Sequence, residues 1–172
     1  MLRLFSALPS LAIATCLLVP LSAHADVRRE HTVLGDWQLD IARDQFSGEI
    51  ACRLAARDHH AFYRAHAIAF RFRTGRDVSH AVYRIDAGPP HVSRDDLSML
   101  VASEVPLDRG PMDNAREGLV WVPFDVLRRG NSVAIEPGPG LRPRQYHFRG
   151  LIALHDIAVE RGCTPENRFV AR

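Results

Sequence analysis

Apolar residues recur at every second position along much of this chain, a period that suits half-buried β-strands and excludes a mostly helical fold. Trp37, Leu39 and Ile41 alternate with polar neighbours after Gly35-Asp36. Ile50, Cys52, Leu54 and Ala56 do the same, with Glu49, Arg53 and Arg57 facing outward. The intervening Asp44-Gln45-Phe46-Ser47-Gly48 reads as a turn, so these two runs form a hairpin. After an Arg57-Asp58-His59-His60 loop, whose Ala61-Phe62-Tyr63 continuation extends either flank, Ile68, Phe70 and Phe72 alternate again. A Thr74-Gly75-Arg76-Asp77 turn then leads to a Val78–Asp86 run with Ala81, Tyr83 and Ile85 on one face, which predicts a second hairpin.

The remaining segments are shorter. Ser93-Arg94-Asp95-Asp96 caps a short helix through about Ala102, because a capping oxygen and early acids suit a helix start. Strands follow at Leu119–Pro123, Ser132–Glu136 and Tyr146–Arg149, with a helical turn from Phe124 to Arg129. Gly150 opens the strongest helix, in which Leu151, Leu154 and Ala158 share a face and Gly162 is the stop. The expected fold is mainly β: an antiparallel β-sandwich or strongly bent sheet with a C-terminal α-helix.

Residues 1–25 read as a secretory signal. Arg3 and the amino terminus precede an apolar run from Leu4 to Leu21, and Ala23-His24-Ala25 is a small-x-small cleavage pattern before Asp26. Pro20 would end the apolar helix just ahead of that site. An uncleaved anchor and lipidation at Cys16 are the alternatives, but Pro9 and Pro20 interrupt a span, and Thr15 is a poor residue before a lipidated cysteine. Cleavage between Ala25 and Asp26 leaves one domain, 26–172, with no transmembrane segment. It also discards Cys16 and leaves Cys52 and Cys163, which in an oxidising compartment most simply form one disulfide.

The mature part carries 21 arginines, no lysine and 20 acidic residues, so it lacks the basic field that nucleic acid requires. A codon bias toward arginine explains the missing lysine without invoking function. No G-x-S-x-G elbow surrounds any serine, and Asp95-Asp96 reads as helix capping rather than a catalytic pair. Glu49 and Asp86 would be a carboxylate pair only if the sheet brought them together. His59, His60 and His66, with Asp58, are the weak metal candidates, since imidazole and carboxylate hold zinc or copper. Their spacing matches no tight ligand motif, so no catalytic residue and no cofactor are expected. Arg71, Arg73 and Arg84 would form an anion-facing patch if their strands were neighbours. Trp37 and Trp121 occupy alternating positions that suit a core.

Gly35-Asp36-Trp37, Cys52 at a hairpin, Val122-Pro123-Phe124-Asp125-Val126-Leu127 before Gly130, and Phe148-Arg149-Gly150-Leu151-Ile152-Ala153-Leu154 together resemble the invasion-associated locus B family of exported bacterial proteins. The resemblance covers about a third of the mature chain, and the family's second cysteine pair has no counterpart here. It implies a periplasmic or outer-surface β-sandwich without transferable catalytic residues; some such proteins are associated with host-cell entry. The expected function is therefore that of an exported, periplasmic or secreted, non-enzymatic domain that binds a protein or cell-envelope partner. A metal-binding protein or hydrolase using the His59/His60/His66 region and an envelope structural accessory are the alternatives.

Overall fold

The computed structural model describes residues 27–72, 77–102 and 117–164, so residues 1–25, expected to be a signal, with Cys16 and the Ala25–Asp26 junction, lie outside the described residues. Two antiparallel sheets enclose the core. The larger contains β1 (Val27–Leu34), β2 (Trp37–Asp44), β3 (Ile50–Ala56), β4 (Ala61–Arg64), β5 (Ala67–Arg71) and β8 (Leu119–Pro123), in the order β1-β2-β3-β4-β5-β8. The smaller has the order β10-β9-β6-β7, from β6 (Val82–Ile85), β7 (His91–Val92), β9 (Ser132–Glu136) and β10 (Arg144–His147). Helices α1 (Leu97–Ala102), α2 (Phe124–Leu127) and α3 (Leu151–Glu160) complete the described chain. Among the described residues no helix is long and apolar enough to cross a membrane.

The period-two pattern sorts side chains as expected. Trp37, Leu39 and Ile41 from β2, Cys52 and Leu54 from β3, and Ile68 and Phe70 from β5 face Tyr83, Val133, Ile135 and Tyr146 of the smaller sheet. The Phe70 and Tyr146 rings meet across the layers with centroids 4.7 Å apart. Leu151, Leu154 and Ala158 of α3 close the same core. A disulfide joins Cys52 to Cys163, with Cα atoms 6.0 Å apart and the two residues 111 positions apart in sequence. It therefore fastens β3 to the residue just beyond α3.

Three elements differ from the sequence-based expectation. β1 carried no apolar alternation because it is an edge strand, exposed at nearly every position. β4 was concealed because Phe62 faces the opposite side from Ala61 and Tyr63, yet all three residues are apolar in character. The second hairpin does not form: β5 pairs with β4 and β8, whereas β6 pairs with β7 and β9 in the other sheet. Period two reports which face of a strand is buried, and says nothing about which strand lies alongside.

The Gly35-Asp36-Trp37 segment owes its character to a close approach. Gly35 and Gly150 both have positive φ, and a Cβ on Gly150 would collide with the Leu34 carbonyl while one on Gly35 would collide with that of Arg149. The Asp36 amide donates to the Arg149 carbonyl (3.2 Å), and the Trp37 indole N–H donates to that of His147 (2.8 Å). The β1–β2 turn is thereby locked to the start of α3.

Candidate functional site

The outer face of the larger sheet, away from the core, divides into a covered and an open half. Over β5 and β8, Ala67, Ala69 and Trp121 pack beneath Leu100 of α1, with Phe62 and Leu119 at the margin. Phe62 and Trp121 meet edge to face at 5.8 Å, and the Arg71 guanidinium lies 5.6 Å from the centre of the Phe62 ring. Over β1, β2 and β3, none of the described residues forms a comparable roof. The strand register there sets His31 opposite Asp40 and Asp40 opposite Arg53, one step from Arg29 opposite Ala42 and Ala42 opposite Ala51.

That arrangement shapes a dip. Ala42 and Ala51 are small and paired, so they leave a hollow of about 520 Å³ whose walls are Arg29, His31, Asp40 and Arg53. His31 Nδ1 lies 2.6 Å from Asp40 Oδ1, so the Asp40 carboxylate already has a partner; Glu30 also lines the hollow. The Arg53 guanidinium lies 3.4 Å from His59 Nδ1. The Glu30 carboxylate takes Arg28 (3.6 Å) and Arg161 (3.5 Å).

Beyond the last pair of that ladder, Arg43 with Ile50, the β2–β3 turn presents Phe46 with 97% of its surface exposed. The turn beneath it is well braced: Asp44 Oδ1 accepts the amides of Phe46 (2.8 Å) and Ser47 (2.9 Å). These bonds, that from Ser47 foremost, hold the Asp44 carboxyl below its ordinary range. Phe46 is thus an apolar side chain on a rigid support. The sequence signal was present, in that a large aromatic stands where a turn needs only polar residues and glycine.

A second hollow of about 500 Å³ opens between the end of β3 and β10, walled by Asp36, Arg57, Asp58, Gln145 and His147. Its deeper side is formed by Trp37 and Tyr146, which belong to the core. Burial pushes the Tyr146 phenol up, and neighbouring Arg144 partly offsets that rise.

The metal candidates are dispersed. His59 and His60 precede β4, whereas His66 lies in the turn after it, so a strand of four residues, about 13 Å long, separates them. Among the described residues no three His, Cys, Asp or Glu side chains converge to hold a metal ion. Ala65 and His66 form the two-residue β4–β5 turn with φ of 47° and 60°, and His66 accepts the Phe124 amide (2.8 Å). Near that turn is a cluster the sequence did not disclose: His155 of α3 lies against Phe124 (4.5 Å) and Tyr63 (5.1 Å), and burial lowers its basicity while Asp156 partly restores it.

The other expected groupings fall apart. Arg71 lies on the larger sheet and Arg84 on the smaller, so these two are not on neighbouring strands, and Arg73 lies outside the described residues. Glu49 belongs to the β2–β3 turn. Asp86 instead clamps the start of β9, its carboxylate accepting the amides of Asn131 (3.0 Å) and Ser132 (2.8 Å). Asp96 is no helix cap: it accepts the Tyr83 hydroxyl at 2.7 Å, and burial first and this carboxylate second raise the Tyr83 phenol. Trp37 and Trp121 are both buried, in the main core and beneath α1 respectively. No family model, curated protein or solved structure matches the chain.

Proposed function

We infer that this is an exported, non-enzymatic domain, periplasmic or secreted, that binds a protein partner of the cell envelope through the open half of its larger sheet. The observation that carries this reading is Phe46, 97% exposed on an aspartate-braced turn at the end of β2 and β3, two of the strands of that half. An exposed aromatic on a fixed backbone loses little conformational freedom on docking, and such residues supply much of the energy of protein interfaces. The Cys52–Cys163 disulfide suits the oxidising side of a membrane. The resemblance to the invasion-associated locus B family is part of the same proposal and points to the same compartment.

Placing a photo-crosslinking phenylalanine derivative at position 46 in cells tests this function. A discrete adduct to one envelope protein is expected from position 46 and none from Val159, which is exposed on α3. Phe46→Ala should weaken capture of that protein about tenfold or more. The absence of any adduct, or equal adducts from both positions, overturns the reading and leaves the structural-accessory role. Stoichiometric zinc or copper that His60→Ala abolishes would favour the metal-binding alternative instead.

A further inference from the structure

We propose that the alanine-floored dip on β1–β3 grips carboxylate side chains of an acidic peptide segment, between Arg29 and Arg53. This rests on the open face being the partner surface and names what the partner must present. The small Ala42–Ala51 pair provides depth, and the two arginines stand on strands either side of β2. Their planar guanidinium forks match a carboxylate in paired hydrogen bonds. Of the two lining carboxylates, Asp40 is occupied by His31 at 2.6 Å and Glu30 by Arg28 and Arg161, which leaves Arg29 and Arg53 as the groups that can take an incoming anion.

The same surroundings select the class of partner. Asp40 beside the dip, and Asp44 and Glu49 flanking Phe46, would repel a densely charged polyanion or an anionic bilayer. A peptide with spaced carboxylates can place one between the arginines and keep uncharged residues against Asp40. The lining suits the aliphatic stem of a glutamate, because Ala42 and Ala51 form its floor.

The test uses the mature protein and a fluorescein-labelled twelve-residue peptide with glutamate at every third position among serine and glycine. Its counterpart carries glutamine at those positions. Binding by anisotropy is expected for the glutamate peptide only, weakening as salt rises. Arg29→Gln and Arg53→Gln should each weaken it about fivefold, and the double variant about twenty-five-fold, while Arg84→Gln on the other sheet leaves it unchanged. Equal binding of the glutamine peptide, or indifference to both arginine variants, overturns the proposal. So does sedimentation with phosphatidylglycerol vesicles in place of peptide binding, or self-association lost in the arginine variants, which would put a second copy on the face. A position-46 adduct that forms undiminished in the double variant also sinks the carboxylate grip, yet leaves the partner surface standing.

Discussion

At the scale of single residues, backbone strain and side-chain bracing are placed differently along the sheet edges. His66 holds φ at 60° without being glycine, a conformation that disfavours a Cβ by about 1 kcal/mol. Its carbonyl is held by the Phe124 amide, so the turn is kept in shape from outside. Replacing His66 with glycine is expected to raise stability by up to about 1 kcal/mol in urea denaturation, and loss of stability there would mean that the imidazole has a structural partner. Asp44 was legible as a turn residue, because aspartate recurs where backbone amides need an acceptor, whereas Asp86 read only as the end of a strand run and a candidate partner of Glu49. Phe46 was legible as an anomaly, but its exposure was not, because a turn aromatic can fold inward as readily as outward.

At the scale of elements, strands with one buried face announced themselves and the others did not. β2 and β3 alternate because one side meets the core, β5 alternates in size because Ile68 and Phe70 face the core while Ala67 and Ala69 lie beneath Leu100, and β1 has no apolar side to alternate. Helix α3 was equally plain, since Leu151, Leu154 and Ala158 fall on one stripe and Gly162 ends it. The contact that orients α3 was not legible, because Gly35 and Gly150 lie 115 positions apart and meet only when sheet and helix are both in place. Gly150→Ala forces a methyl toward the Leu34 carbonyl and a disfavoured φ of 91°. A loss of about 2–4 kcal/mol is expected on chemical denaturation, and a change within error would show that the β1–β2 turn moves aside freely.

At the scale of the whole molecule, the two sheets and α3 share one core, and the disulfide ties its ends together. Closing a loop of this length restricts the unfolded chain, which on entropic grounds stabilises the fold by about 4–5 kcal/mol as an upper figure. Cys163→Ser should therefore lower stability by a few kcal/mol and loosen the end of α3 first, seen as faster amide exchange from Ile157 to Cys163. Unchanged exchange there would place the disulfide's effect elsewhere. By itself the sequence determined the strand faces, the final helix and the expectation that Cys52 pairs with Cys163, because hydrophobic period and cysteine count are local or compositional properties. Only the tertiary structure decided that β5 and β6 belong to different sheets, that His66 lies a strand's length from His59 and His60, and that Arg29 and Arg53 flank a hollow. Those outcomes depend on strand order and register, which arise from packing among segments far apart in the chain.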